Sequence, residues 1–345
     1  MMANQYSNTA GTVLVTGGTG FVAGWCIAEL LKRGFAVRTT VRNLSKEKGV
    51  RAAVSAIVDP GDRLTFFAAD LNSDDGWDAA TAGCDYVLHV ASPLGITKSA
   101  DSLIGPARDG TLRVLRAAVK AGVKRVVMTS ACAAASPQSY KEDRVTDETL
   151  WTDPENSNLN AYMKSKTLAE LAAWQFMKEQ GGPTALTTIL PGAVFGPVLS
   201  ADSTGSAQII GRLLQGQVPA VPRVGFEVVD VRDLADIHIR AMTSEGAAGQ
   251  RIIAVGEFMW MSGIAKVLRS NLGDAAGKVP TGILPDFLLR LFSVFDPSLR
   301  ALTPSLGRKH RHTAEKARRL LDWQARSAAE TIVDCAKSLI EQNAV

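Results

Sequence analysis

The sequence predicts an α/β fold with a doubly wound parallel sheet and a smaller C-terminal lobe. Short apolar runs alternate with amphipathic helical patterns over residues 12–129. Some runs, such as Val126-Val127-Met128, are wholly apolar, which is typical of strands that helices cover on both faces. A glycine-rich turn follows the first run directly. Together these three observations favour a Rossmann-type arrangement.

The elements of the first part of the chain are expected in the order strand, then helix. Strands are predicted at residues 12–16, 36–41, 64–68, 86–90, 125–129 and 184–190. The helices between them are predicted at residues 21–33, 46–57, 74–82, 102–121 and 158–179. Gly181-Gly182-Pro183 ends the last of these helices, because glycine and proline interrupt helical structure.

Beyond Pro191 the pattern is less regular. Short strands are expected at residues 226–229 and 251–255, and helices at residues 232–243, 262–272, 285–295, 313–321 and 328–342. We therefore predict one domain over residues 1–190 and a mainly substrate-binding lobe over residues 191–345. Residues 226–255 are expected to return in part to the first domain.

The composition argues against several classes of protein. The 345 residues are 46% apolar and 21% charged, as in an ordinary globular chain, and the net charge is only +4. No long run of one charge sign occurs, so no nucleic-acid or membrane partner is expected. The four cysteines are scattered without disulfide or zinc spacing. We therefore expect no bound metal and a reducing, cytoplasmic setting.

Two further features of the sequence bear on location and partners. The N-terminus lacks the basic segment followed by an apolar segment that is typical of a signal peptide, and no apolar run approaches the roughly 18 residues that span a bilayer. The densest basic segment, residues 308–312, is interpreted as a solvated loop or helix start, with contact to a substrate or an anionic partner as the alternative. The oligomeric state stays open between monomer and homodimer.

The glycine-rich turn, TGGTGFVAG over residues 16–24, predicts a dinucleotide site. It follows the first strand and opens a helix. Glycines allow a tight turn and let backbone N–H groups approach a pyrophosphate, whose charge is favoured at a helix N-terminus. The residues expected to contact the dinucleotide there are Thr16, Gly17, Thr19, Gly20, Phe21 and Val22.

The end of the second strand indicates which dinucleotide is bound. A site for NAD usually places an acidic residue there to bind the adenosine ribose 2′-hydroxyl. This chain has Val41 followed by Arg42. A guanidinium suits a 2′-phosphate, so we predict NADP(H) held by Arg42, with Arg38 and Lys46 as weaker candidates.

Two more strand ends are expected to contact the cofactor. Asp70 and Leu71 follow the third strand and would hold the adenine by a carboxylate hydrogen bond and an apolar contact. Val90, Ala91 and Ser92 follow the fourth strand and pass close to the expected nicotinamide ribose.

Tyr162 and Lys166 form the candidate catalytic pair. They are four residues apart in a helical stretch, so both side chains project from one face. A phenol ionises near pH 10, but a neighbouring ammonium stabilises the phenolate and lowers its pKa. Tyr162 would protonate a carbonyl oxygen or take the proton back in the reverse direction, while Lys166 would also hold the nicotinamide ribose. The pair predicts proton transfer beside the cofactor.

In the order and spacing of its motifs, the sequence resembles the extended short-chain dehydrogenases/reductases. Among them it is most similar to the dihydroflavonol-4-reductase-like carbonyl and aldehyde reductases. The motifs cover nearly the whole chain and include VTGGTGFVAGW (15–25), HVASP (89–93), AYMKSKTLAELAAW (161–174) and VDVRDLADIHI (229–239). The resemblance implies NADP(H), a Ser/Tyr/Lys catalytic set and a C-terminal lobe that determines the substrate. It also places Pro191, Gly192 and Val194 at the nicotinamide pocket.

The serine of that catalytic set has no direct counterpart. Relatives often read TSS where this chain reads Thr129-Ser130-Ala131, so the usual position holds Ala131. We assign the catalytic hydroxyl to Ser130, with Thr129, Cys132 and Ser136 as alternatives. Thr129 is also expected to lie beside the cofactor.

The leading hypothesis from the sequence is an NADPH-dependent reductase that converts aldehydes or ketones of apolar or aromatic small molecules to alcohols. A nucleotide-sugar epimerase or dehydratase, a hydroxysteroid dehydrogenase of the same fold and a non-catalytic NADP-sensing protein are the alternatives. Val41 disfavours the epimerase, because such enzymes usually hold NAD through an acid at that position. Tyr162 and Lys166 disfavour the sensor.

Overall fold

The computed structural model describes residues 10–93, 100–157, 159–294, 300 and 302–345. Residues 158 and 295, which the sequence places at the ends of two helices, lie outside this description. The strands, in chain order, are β1 (Thr12–Val15), β2 (Ala36–Val41), β3 (Leu64–Ala68), β4 (Tyr86–His89), β5 (Arg125–Thr129), β6 (Val145–Thr146), β7 (Ala185–Pro191), β8 (Ala193–Phe195), β9 (Val221–Pro222), β10 (Gly225–Asp230), β11 (Arg251–Ala254), β12 (Phe258–Trp260), β13 (Ile283–Leu284) and β14 (Arg311–His312).

The helices lie between these strands along the chain and after the last of them. They are α1 (Phe21–Lys32), α2 (Glu47–Ser55), α3 (Trp77–Thr81), α4 (Ala100–Lys120), α5 (Ala161–Gln180), α6 (Gln208–Leu214), α7 (Val231–Thr243), α8 (Met261–Leu272), α9 (Asp286–Phe292), α10 (Glu315–Leu321) and α11 (Ala328–Glu341). Within the described residues, no helix combines the length and the apolar character needed to cross a bilayer.

Seven strands form one parallel sheet in the order β3-β2-β1-β4-β5-β7-β11. The side chains of β1 show why both faces are covered, because successive residues of a strand point to opposite faces. Val13 and Val15 pack into the larger core with α1 and α7, whereas Leu14 packs with α4 and α5 on the other face. The predicted doubly wound sheet is confirmed.

Helix α5 shows how the sequence sets the limits of an element. The side-chain oxygen of Asn160 accepts a hydrogen bond from the backbone N–H of Met163 at 2.9 Å and caps the first turn. At the other end, Gly181 adopts φ +60°, a left-handed conformation that favours glycine. The helix therefore ends where the Gly-Gly-Pro sequence predicts.

The C-terminal part of the chain contributes strands to the main sheet and to three smaller sheets. β11 pairs with β7 and completes the main sheet, as expected for a segment that returns to the first domain. β10, however, pairs with β8 and β12 in a separate three-stranded sheet. The sequence also missed α6, which lies among glycines that obscure its helical pattern. The domain limits at residues 190 and 191 stay a prediction.

Candidate active site

The carboxyl ends of the main strands meet at one edge of the sheet, and the predicted site residues lie there. The glycine turn between β1 and α1 forms the centre of this edge. Gly17 has φ +75°, and a Cβ at that position would lie 2.9 Å from the Cβ of Ala91. A Cβ on Gly18 would collide with the hydroxyl of Thr39. Both positions therefore require glycine.

A chain of hydrogen bonds holds the glycine turn against β4. The hydroxyl of Thr16 accepts from the backbone N–H groups of Val90 at 3.0 Å and Ala91 at 2.9 Å. Its own proton is therefore donated to Nδ1 of His89 at 3.0 Å, and Nε2 of His89 donates to Thr111 at 3.1 Å. Burial and the charge of Lys166 lower the pKa of His89 to about 3, in keeping with a neutral, structural ring.

The start of α1 is open for an anion. Gly20 precedes the helix in an extended conformation, and no side chain of the described residues caps the first turn. Thr19 and Gly20 are exposed, and Phe21 and Val22 begin the helix. The free N–H groups and the positive end of the helix suit a pyrophosphate, so the residues present fit a dinucleotide.

Arg42 is available for a phosphate, whereas Arg38 is not. Arg42 and Lys46 are exposed after β2, and their side chains form no hydrogen bond or ion pair with the described residues. Arg38 instead donates to the carbonyl oxygens of Ala79 at 3.3 Å and Ala82 at 2.5 Å. The weaker prediction that Arg38 contributes charge to the cofactor site is therefore wrong, because its guanidinium binds carbonyl oxygens at the C-terminal end of α3.

The remaining cofactor candidates lie along the same edge. One carboxylate oxygen of Asp70 accepts from the backbone N–H of Asn72 at 2.8 Å, which shapes the turn after β3. Leu71 packs on α4, where a Cβ on Gly110 would meet it at 2.7 Å. The other candidates on this edge are half-buried except Pro191, which is buried: Val90, Ala91, Ser92, Pro191, Gly192 and Val194.

Tyr162 and Lys166 lie on one face of α5, and Lys166 reaches the end of β5. Its Nζ donates to the carbonyl oxygen of Thr129 at 3.4 Å. Burial lowers the pKa of Lys166 to about 8, against the charge of Glu170, which raises it. Burial and the neighbouring Cys132 raise the pKa of Tyr162 to about 12. The expectation that Lys166 lowers the pKa of Tyr162 is therefore not met in this structure.

Each of the four side chains considered for the serine role has a hydrogen-bond partner. Ser130 is 1% exposed, and its hydroxyl donates to Oε2 of Glu170 at 2.6 Å. The hydroxyl of Thr129 lies 2.7 Å from Nε2 of His238 on the opposite face of the sheet. The other two bonds are from the thiol of Cys132 to the Leu190 carbonyl at 3.3 Å and from the hydroxyl of Ser136 to the Cys132 carbonyl at 2.8 Å.

The sequence missed a buried ionic group behind the catalytic helix, which we call the Glu170 cluster: Ser130, Glu170, Trp174, Thr188 and Arg251. Oε1 of Glu170 accepts from Arg251 Nε at 2.8 Å, Thr188 Oγ1 at 2.8 Å and Trp174 Nε1 at 3.3 Å. Glu170 is fully buried. Its position four residues after Lys166 was the available signal, because that spacing places both side chains on one helix face.

The basic segment at residues 308–312 is only partly solvated, which corrects the interpretation from sequence: Lys309 is exposed, but His310 and His312 are buried. Arg308 donates to Glu227 Oε2 at 2.5 Å, and Nδ1 of His312 lies 2.8 Å from the same oxygen. Nε2 of His312 lies 2.9 Å from the Ala135 carbonyl, so both ring nitrogens face acceptors. Burial opposes this charge, but the neighbouring Cys132 and Glu227 raise the pKa of His312 to about 10.

The same segment brings together three residue types that can bind metals. Ligand atoms of Cys132, Glu227 and His312 lie within 4.8 Å of one another. The oxygens of Glu227 are already used by Arg308 and His312, and a guanidinium repels a cation. The geometry therefore fits a link between the C-terminal lobe and the turn after β5 better than a metal centre.

Comparison with known proteins identifies the family of this chain. The family model of the NAD dependent epimerase/dehydratase family matches residues 13–256. A cinnamoyl-CoA reductase of Medicago truncatula is 37% identical over 271 residues, which are 76% of this chain and 81% of that enzyme. An anthocyanidin reductase of Vitis vinifera is 34% identical over 268 residues, 73% of this chain and 78% of that enzyme.

A solved structure has the same architecture. The yeast methylglyoxal/isovaleraldehyde reductase Gre2, complexed with NADPH, has a TM-score of 0.79 and 25% identity, and the match covers 97% of this chain and all of that one (100%). The chain therefore belongs to the NAD dependent epimerase/dehydratase family, within the extended short-chain dehydrogenases/reductases, and it is an oxidoreductase with dihydroflavonol-4-reductase-like relatives.

Proposed function

We propose that this oxidoreductase reduces aldehydes or ketones to alcohols, with Tyr162 as the proton donor. The observation that carries the proposal is the placement of Tyr162 and Lys166 on one face of α5, at the sheet edge that also holds the glycine turn. The NADPH complex of the yeast neighbour and the reductase activity of the relatives support the same conclusion.

The cofactor is NADP(H), and this chain has the residues to hold it. The open N-terminus of α1 would bind the pyrophosphate, and Arg42 would pair with the 2′-phosphate. Asp70 and Leu71 would contact the adenine, and Lys166 the nicotinamide ribose. When bound, NADPH supplies a hydride to the carbonyl carbon of the substrate.

Tyr162 carries the proton that the reduction requires. Burial and the neighbouring Cys132 raise the pKa of this phenol to about 12, so it is protonated at neutral pH and can donate its proton to a carbonyl oxygen. Lys166 follows four residues later on the same face of α5.

We assign Ser130 a supporting position rather than contact with the substrate. Its proton is donated to Glu170, and its side chain points into the core between β5 and α5. The usual serine position holds Ala131, which has no hydroxyl, and the proposal assigns the proton transfer to Tyr162.

The experiment is NADPH consumption with a panel of aldehydes and ketones. Tyr162→Phe should lower kcat by roughly 10²- to 10⁴-fold, the usual contribution of a general acid, and leave NADPH affinity unchanged. Tyr86→Phe is the matched control, because Tyr86 begins β4 at the opposite edge of the sheet. Turnover that survives in Tyr162→Phe would show that another group donates the proton. Inactivity of the folded, NADPH-bound wild type on every carbonyl would refute the reductase.

A further inference from the structure

We propose that Glu170 is a positioning residue for proton transfer: from inside the protein it fixes the helix face that carries Tyr162 and Lys166, and it keeps Lys166 charged. The inference rests on the proposed function and adds to it a residue that is fully buried behind the reacting groups. Two geometric observations support it, and the electrostatics of Lys166 agrees with them.

The first is the register of α5 against β5. Tyr162, Lys166 and Glu170 follow one another at intervals of four residues, so they occupy successive turns of one face. Lys166 Nζ holds the carbonyl oxygen of Thr129, and one turn later Glu170 holds the hydroxyl of Ser130. Two adjacent residues at the end of β5 are thus held by two side chains of the catalytic helix.

The second is the anchoring of Glu170 from the neighbouring strands. Thr188 on β7 and Arg251 on β11 both donate to the carboxylate at 2.8 Å. Arg251 in turn donates to the backbone carbonyls of Leu150 at 2.9 Å and Ala134 at 3.1 Å, and its guanidinium lies 3.5 Å from the ring centre of Trp151. Glu170 is therefore bonded to a residue of β7, to a residue of β11 and to Ser130, which follows β5.

The electrostatic observation concerns the charge of Lys166. Burial lowers its pKa to about 8, and the negative charge of Glu170 opposes that effect. His89, on β4, is neutral, so it adds no positive charge beside Lys166. The charged and titratable groups that act on Lys166 or on its neighbours are Glu170 on α5 and His89 on β4, with Arg251 on β11 paired to Glu170 and Cys132 after β5 beside Tyr162.

The consequence is a specific loss when the charge of Glu170 is removed. Without it, burial acts on Lys166 unopposed, and the amine loses its proton at lower pH. A neutral amine would remove the positive charge from the helix face that carries Tyr162. A residue that only stabilised the fold would not change the titration of Lys166.

The test is a pH titration of Lys166 in the nucleotide-free protein. Lysine ¹³Cε signals are followed, and the Lys166 signal is identified by its absence from Lys166→Arg. Glu170→Gln, which keeps the shape of the side chain, should move the Lys166 midpoint down by about one unit, as loss of a nearby charge does. The alkaline limb of the kcat profile should move with it. Glu179→Gln, at the exposed end of the same helix, is the control and should leave the midpoint in place.

Two further variants separate charge from packing and serve if Glu170→Gln does not fold. Glu170→Asp keeps the charge and removes one methylene, and Ser130→Ala removes one hydrogen bond and keeps the carboxylate. Both should retain the Lys166 midpoint, whatever they cost in thermal stability. An unchanged midpoint in folded Glu170→Gln, or an equal drop in Glu170→Asp or Ser130→Ala, would overturn the proposal. Because the titration needs no turnover, its result is independent of whether Tyr162→Phe confirms the reductase.

Discussion

Replacement of Arg42 by alanine should change cofactor preference without changing stability. Arg42 is exposed and has no partner among the described residues, so its loss should alter the free energy of unfolding by less than about 0.5 kcal/mol. A hydrogen bond to a charged group contributes roughly 1.5–3 kcal/mol. We expect the lower end, since an exposed charge is screened by salt. NADPH affinity should therefore fall about tenfold, because 1.4 kcal/mol corresponds to a factor of ten.

The assay is a fluorescence titration of NADPH and NADH at low and high salt. NADH lacks the 2′-phosphate, so its affinity should stay the same, and the loss for NADPH should shrink as salt screens the pair. Lys32→Ala makes the same charge change at the last residue of α1, about 18 Å along the helix from the phosphate end, and should have no effect. An equal loss for both nucleotides, or none for NADPH, would contradict the assignment of Arg42.

Two further predictions concern the glycine turn and the C-terminal lobe. Gly17→Ala should weaken NADPH binding at least tenfold, because a left-handed alanine costs roughly 1–2 kcal/mol and its Cβ meets Ala91. Gly34→Ala is the control, because Gly34 has a similar φ of +83° and no neighbour within 4 Å of an added Cβ. This variant should lose stability but keep its affinity for NADPH. The pKa of His312 is raised from 6.5 to about 10, so its stabilising charge is fully present below pH 6.5 and is lost as the pH rises through 10. The Tm should therefore fall between pH 7 and 10, and a Glu227→Gln variant with the same alkaline slope as wild type would argue against this pairing.

The sequence predicted the main sheet well for a physical reason. Strands that helices cover on both faces are rich in apolar residues, and the strands predicted at 36–41, 64–68 and 125–129 coincide with β2, β3 and β5. The carboxyl edge then follows from parallel pairing alone. The position of β10 could not be predicted, because a short apolar strand carries no information about which sheet it joins.

The basic segment shows what one sequence cannot reveal. Five basic residues in a row resemble a solvated loop, and their compensating acid, Glu227, lies 81 residues before Arg308 and 85 before His312. Only the folded chain brings these groups together. A buried charge needs a partner of opposite sign. The carboxylate of Glu227 is that partner for His312, and this becomes visible only in the folded chain.

The serine position has a similar explanation at shorter range. Successive residues of β5 face opposite sides of the sheet, so Thr129 points to His238 on α7 and Ser130 points to Glu170 on α5. The motif alone could not show that Ser130 had a buried acid as its partner. Spacing of four residues places Tyr162, Lys166 and Glu170 on one face of α5. The pKa of Lys166 therefore depends on Glu170 as well as on burial, and the pKa of Tyr162 depends on burial and on Cys132, which the spacing of the motif does not reveal.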